Sequence, residues 1–252
     1  MKQVVIKTPE EIAIMAEGGK KLARVRNALA GSIKVGGNAQ EIELLAEKLI
    51  KKEGAAPSFK MVPGYSFCTC VNVNDGIVHG IPKKELVFKD GDLVSVDVGI
   101  FFKGFHTDTS VTVLLGSDPE KKKFLECGRA ALSAAIKKAR VGSKIGDISK
   151  AMEEVLRKGG CSPIELLVGH GVGRELHEAP AVPCLVTRNP SEKIVLVLGM
   201  VLAIEAMYAQ GKPDLVTDKD GWTIRSRDGK ITGLFEETVA VTSRGPLVLT
   251  KK

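Results

Sequence analysis

Aromatic residues are scarce, at 4% of the 252-residue chain, with one tryptophan and two tyrosines. That leaves too few to interleave with basic side chains as a nucleic-acid stacking surface. Cysteine is also sparse and odd in number: Cys68, Cys70, Cys127, Cys161 and Cys184 form neither a paired disulfide framework nor a CxxC metal knuckle. Their pattern points to a reducing cytosol, so a cytoplasmic location is expected. Long apolar runs are missing too. Residues 1–11 lack the apolar core of a signal peptide, and the longest uncharged apolar stretch, Ile194 to Ile204, is far below the roughly 18 residues that span a bilayer. No membrane association is expected, and that stretch reads as a buried strand.

What is present suits a globular protein, with 44% hydrophobic and 27% charged residues. The net charge of +7 could favour an anionic partner such as RNA. The lysines are dispersed, however, apart from short runs such as Lys121 to Lys123, and they read as a solvated basic surface. Association with the ribosome through that surface stays open.

Thr8-Pro9-Glu10-Glu11 is a capping box with proline in the first helical position, followed by Ile12, Met15, Leu22 and Val25 at helical spacing. Asn38 with Glu41 caps a second helix carrying Ile42, Leu45 and Leu49, stopped by Gly54 and Pro57. A repeat then emerges. Val35-Gly36, Ile42, Glu47, Lys52, Gly54 and Pro57 recur as Val141-Gly142, Ile148, Glu153, Lys158, Gly160 and Pro163, always 106 residues later. Two amphipathic helices could resemble each other by coincidence, but the shared glycine and proline stops argue for duplication. A third helix, from Ser117 or Asp118 to about Lys138, precedes the second copy. Each half therefore reads as helix, helix, strands. The strands expected are 69–73, 93–101 and 105–115, then 201–207 and 236–242. The economical architecture is α+β: a pseudo-two-fold sheet covered by helices on one side, in a single domain with halves of about 8–115 and 117–245 and a cleft between them.

The chemistry gathers on these strands. Asp97 lies in an apolar strand that turns at Lys103-Gly104 and returns through Asp108. A two-residue hairpin there pairs Asp108 with Gly99, diagonal to Asp97 on the same face. Two such carboxylates repel unless cations sit between them, which favours a metal site, although a surface residue plus a turn cap would also fit this hairpin alone. Glu205 ends one apolar strand and Glu236-Glu237 starts another. Only one of that glutamate pair can face the pocket. Among the four histidines, His79, His170 and His177 sit in glycine-rich or proline-marked turns and suit metal ligation or acid-base work, whereas His106 reads as structural.

Taken in order, these motifs resemble the type I methionine aminopeptidases of the pita-bread fold, over nearly the whole chain: His79-Gly80-Ile81-Pro82, the Asp97 to Asp108 hairpin with Thr109-Ser110, Gly169-His170-Gly171-Val172-Gly173 with His177-Glu178, Ile204-Glu205, and Glu236 before Thr238. The resemblance implies that Asp97, Asp108, His170, Glu205 and Glu236 hold two divalent metal ions, with Asp108 and Glu236 bridging. Four carboxylates and one imidazole suit Mn(II), Fe(II) or Co(II), with Zn(II) also admitted. It implies further that Glu205 accepts the proton of the attacking water, that His177 donates to the carbonyl oxygen and His79 to the scissile amide, and that Tyr65, Cys70 and Trp222 line the methionine pocket. The substrate would be the N-terminus of a nascent polypeptide with a small second residue, and the enzyme a monomer.

The chain departs from the family near that pocket. Phe59 stands where many bacterial members have cysteine, Leu176 where an aromatic often precedes the second histidine, and Ala206 where proline commonly follows the glutamate. The interval from His170 to Glu205 leaves no room for the insertion of type II members, and the amino-terminal domain of prolidases is not expected. The rivals are a prolidase-like enzyme of the same fold and a catalytically inactive pita-bread protein that binds partners.

Overall fold

The computed structural model describes residues 3–251. Its two halves repeat one plan. In the first half, α1 (Pro9–Ser32) and α2 (Ala39–Lys52) precede β1 (Ala56–Pro57), β2 (Thr69–Val73), β3 (Gly76–Val78), β4 (Leu93–Phe102) and β5 (Phe105–Leu114). In the second, α3 (Pro119–Lys138) and α4 (Ile145–Lys158) precede β6 (Ser162–Pro163), β7 (Val168–Gly171), β8 (Glu178–Pro183), β9 (Val201–Ala209), β10 (Leu215–Thr217), β11 (Ile224–Ser226), β12 (Thr232–Thr242) and β13 (Gly245–Val248). No helix among the described residues is long and apolar enough to cross a membrane.

Local chemistry sets the helix starts. The Thr8 side chain accepts from the Glu11 amide while the Glu11 carboxylate accepts from the Thr8 amide, and Pro9 needs no amide partner there. Asn38 caps α2 and Asp118 caps α3 in the same sense. At the stops, Gly54 and Gly160 have φ of 70° and 73°, a conformation that glycine adopts without strain.

One large antiparallel sheet runs in the order β1-β4-β5-β12-β9-β7-β8. The halves meet where β5 pairs β12, and Ser110 stands directly opposite Glu236 there. Two threonines mark the pseudo-two-fold. Thr112 Oγ1 bonds both the N–H and the C=O of Leu234, and Thr238 Oγ1 does the same at Asp108. Helix α1 packs on β4 and β5, and α3 on β9 and β12, so both central helices cover one face of the sheet. Leu22, Val25 and Leu29 fill the first core beneath them; Ile145, Ile148 and Met152 fill the second. Each such fully buried side chain contributes about 1.5–3 kcal/mol. The opposite face is left for the site.

Three strand expectations need correction. Residues 194–200 form no strand: beyond an isolated bridge at Val195 the chain turns at Gly199, whose φ is 88°, and β9 begins only at Val201. Glu205 and Glu236 lie mid-strand rather than at strand ends, because β9 and β12 pair residue by residue from Thr232↔Ala209 to Ala240↔Val201. His170 belongs to β7, not to a turn.

Candidate metal centre

The β4–β5 hairpin has the register read from the sequence. Lys103 and Gly104 form a two-residue turn with φ of 48° and 86°, and Gly99 pairs with Asp108 while Asp97 pairs with Ser110. In the second half Glu205 pairs with Glu236. Adding 108 to Asp97 gives Glu205, just as it carries the β1 contact Ile100 onto the β6 contact Tyr208. The duplication thus supplies two carboxylates at equivalent points of β4 and β9, and Asp108 and Glu236 rise between them. Alternation decides the rest. Glu236 is 2% exposed on the site face, and Glu237 points back to α1, where Arg26 Nη1 donates to it at 2.8 Å.

His170 reaches the same place from β7. One ligand atom from each of Asp108, His170 and Glu236 lies within 4.8 Å of the others, and His170 Nε2 stands 3.7 Å from Glu205 Oε1. His170 Nδ1 is 2.9 Å from the carbonyl of Gly171, so as an N–H donor there it turns its Nε2 lone pair towards the carboxylates.

The electrostatics ask for a cation. Burial, then mutual repulsion, pushes Asp97, Glu205 and Glu236 well above the ordinary carboxylate range, and burial pushes Asp108 up to about 7. Burial likewise drives His170 down to about 4, so its ring is neutral and free to ligate. Asp97 Oδ1 and Glu236 Oε1 are buried without any hydrogen-bond partner. A native fold rarely leaves such oxygens orphaned unless something else satisfies them. The donor set, hard oxygens and one imidazole, fits divalent ions.

The ten residues expected as ligands, acid-base groups or methionine-pocket wall all line a single pocket of about 410 Å³. The carboxylates and His170 form its floor. His79 and His177 line it as well; burial and the charge of His177 hold His79 below its ordinary pKa. The apolar wall joins Phe59, Tyr65, Cys70 and Leu176, with Trp222 packed against them. Tyr65 meets Trp222 edge-on at 5.0 Å between ring centres, and its hydroxyl donates to the Thr69 carbonyl at 2.8 Å. Burial raises the Cys70 thiol far above its usual range, so it packs as a neutral apolar group. Phe59 and Leu176 belong to this wall. Ala206 does not: it faces the helix-side core, one residue out of phase with Glu205. His106 lies off the pocket, bonded through Nδ1 to Ser58 Oγ at 2.8 Å.

Sequence reading assigned no site role to several contributors. Leu166, Leu167 and Val168 line the pocket on the approach to His170. Ser110, 3% exposed and with an unpartnered hydroxyl, sits in register between Asp97 and Glu236. Its position followed from the same hairpin register that placed Asp108.

Comparison with known proteins agrees with this geometry. The profile of metallopeptidase family M24 matches residues 13–243. Methionine aminopeptidase of Aquifex aeolicus is 40% identical over 248 residues, covering 96% of each chain. The crystal structure of methionine aminopeptidase from Thermotoga maritima superposes with a TM-score of 0.95 at 41% identity, over 99% of this chain and all of that one. Prolidase from Pyrococcus furiosus shares the fold, with a TM-score of 0.77 at 24% identity, and this chain covers 66% of it.

Proposed function

The chain belongs to metallopeptidase family M24 and within it to the methionine aminopeptidases, and from that premise we propose that it removes the initiator methionine from nascent polypeptides through a centre of two divalent ions. The observation that carries the reading is the convergence of five candidate ligands, two with orphaned oxygens, beneath an apolar pocket.

Asp97, Asp108, His170, Glu205 and Glu236 would hold the ions. Ions bound there supply an activated water and polarise the scissile carbonyl. The chain's own groups do the rest. Glu205 accepts the water's proton. His177 donates to the carbonyl oxygen as charge develops there, and His79 hydrogen-bonds the amide nitrogen. Phe59, Tyr65, Cys70, Leu176 and Trp222 receive an unbranched thioether side chain and exclude water around it. Mn(II), Fe(II), Co(II) and Zn(II) all suit the donor set. Work in the reducing cytoplasm fits the five unpaired thiols, and the enzyme is proposed to act as a monomer.

The test compares turnover of Met-Ala-Ser, Leu-Ala-Ser and Ala-Pro-Ala by one metal-loaded preparation. Preference for Met-Ala-Ser is expected. Preference for Ala-Pro-Ala would support a prolidase-like activity, and cleavage of none would support a binding role.

A further inference from the structure

His177 stands in an irregular loop rather than on a strand, so something must fix where its ring points. The loop 173–177 is tied down from the far end of the sequence. The Lys7 amide donates to the Gly199 carbonyl at 2.8 Å, which anchors the segment ahead of α1. Its side chain then turns inward: Nζ donates to the Val5 carbonyl at 3.1 Å and pairs with the Glu178 carboxylate. The two side chains are 2% and 4% exposed, so this is a buried ion pair. The second Glu178 oxygen accepts from the Glu175 amide at 3.2 Å, which closes the loop on itself. Gly173 makes room for the pair, since a Cβ there would lie 2.3 Å from Lys7 Cε. The Gly173 carbonyl in turn accepts from the His106 amide at 2.7 Å, joining the loop to β5. On the surface, Arg174 and Glu11 add a second tie at 2.6 Å.

Such a pair is not explained by net stability. Burying two charges costs nearly as much as their attraction returns, and apolar replacements are often neutral or better. What a buried pair does supply is a single placement, because each charge is satisfied only when the other is in position.

We infer that Lys7 is a positioning residue: through Glu178 it fixes the loop that carries His177, so the segment ahead of α1 is a working part of the active site. The inference rests on the role given to His177 above.

Lys7→Met keeps most of the length of the side chain and removes its charge. Its kcat and KM for Met-Ala-Ser are compared with the parent in both the natural and the His177→Ala background, with equal metal loading. Amide hydrogen exchange is followed over residues 171–178. Exchange there is expected to rise about tenfold while that of β12 stays unchanged. In the natural background kcat falls roughly 10- to 100-fold with KM within about threefold. In the His177→Ala background the further loss stays under about twofold, because the two changes act through one group. Unchanged exchange over 171–178, or the same loss of kcat in both backgrounds, would overturn the inference. If His177→Ala alone costs nothing, the role of His177 falls, and the exchange data still decide whether Lys7 holds the loop. Should Lys7→Met fail to fold, Glu178→Gln opens the same cycle from the other side.

Discussion

Glu236 and Glu237 are neighbours in sequence with opposite surroundings, and changing each to glutamine should move the protein in opposite directions. Glu237 lies on the helix side, where it accepts from Arg26 Nη1 at 2.8 Å and from the Thr250 hydroxyl. Arg26 Nη1 also reaches Thr109 Oγ1 at 2.7 Å, and that hydroxyl donates to the Glu236 carbonyl at 2.8 Å. Hydrogen bonds to a charged group are worth roughly 1.5–3 kcal/mol, and because an amide still accepts one of them and the pair is 12% and 19% exposed, about 1–2 kcal/mol should be lost. For a chain of this size that lowers Tm by about 2–8 °C. Turnover should stay within about threefold of the parent and metal content unchanged, since no candidate ligand is touched. Glu236→Gln acts on the other face. Burial, then Asp108, Glu205 and Asp97, raises its folded pKa, so at neutral pH the metal-free fold must take up a proton there or bear an unfavourable charge, which penalises it. Removing that charge should leave the Tm of chelated protein equal or higher, while metal affinity and turnover drop roughly 100-fold or more. Thermal scans of chelated and loaded protein, metal analysis and methionine release measure all of this. Activity retained by Glu236→Gln and lost by Glu237→Gln would refute the assigned strand faces. An equal fall in chelated Tm for both variants would refute the repulsion argument.

Three further outcomes follow from the same geometry. Asp108 titrates at about 7 in the fold against an ordinary 3.8, so the folded chain holds this proton more tightly than the unfolded chain and chelated protein should gain stability as pH falls from about 8 to 6.5. Below 6.5 the unfolded chain also takes up a proton at His170, whose folded value is about 4, and this offsets the Asp108 proton, so the gain should level off. Metal-loaded protein should show the opposite slope between 8 and 6.5, because ions compete with those protons; slopes of one sign in both forms would contradict the site. Trp222→Ala removes the edge contact to Tyr65 and should raise KM for Met-Ala-Ser about tenfold with kcat within about threefold. A collapse of kcat at constant KM would take Trp222 out of the pocket wall. Glu205→Gln should keep the fold and cut turnover roughly 100-fold or more, and near-normal turnover would move the proton acceptor elsewhere.

Local signals were legible wherever one residue dictates its own backbone. The Thr8 and Asn38 caps, the glycine stops at Gly54 and Gly160, and the Lys103-Gly104 turn all form as their chemistry requires. That turn fixed the register, and the register fixed the faces of Asp97 and Asp108. Alternation likewise separated Glu236 from Glu237. Reading failed where partners are remote. The apolar stretch from Ile194 looks like a strand, yet Ile194 and Leu196 hydrogen-bond the segment ahead of α4, at residues 142–145, and Gly199 turns the chain before β9 begins. His170 looked like a turn residue because glycines flank it, but they serve close approach instead, a Cβ at Gly169 lying 2.4 Å from the Ala203 carbonyl. The Lys7–Glu178 pair spans 171 residues, and nothing local announces it. Ser110 is part of a quoted motif but has no legible role of its own, because a serine in a strand is ordinary until its two cross-strand neighbours are known to be carboxylates.

The central claim is that the carboxylate floor of the pocket exists to hold metal for removing methionine. The most direct test strips the protein by chelation, verifies by elemental analysis that no metal remains, and restores Mn(II) or Co(II) stepwise while methionine release from Met-Ala-Ser and bound metal per chain are read together. No release from the stripped protein, and release that grows with bound metal up to two ions, is the predicted result; full release by the verified metal-free protein would contradict it.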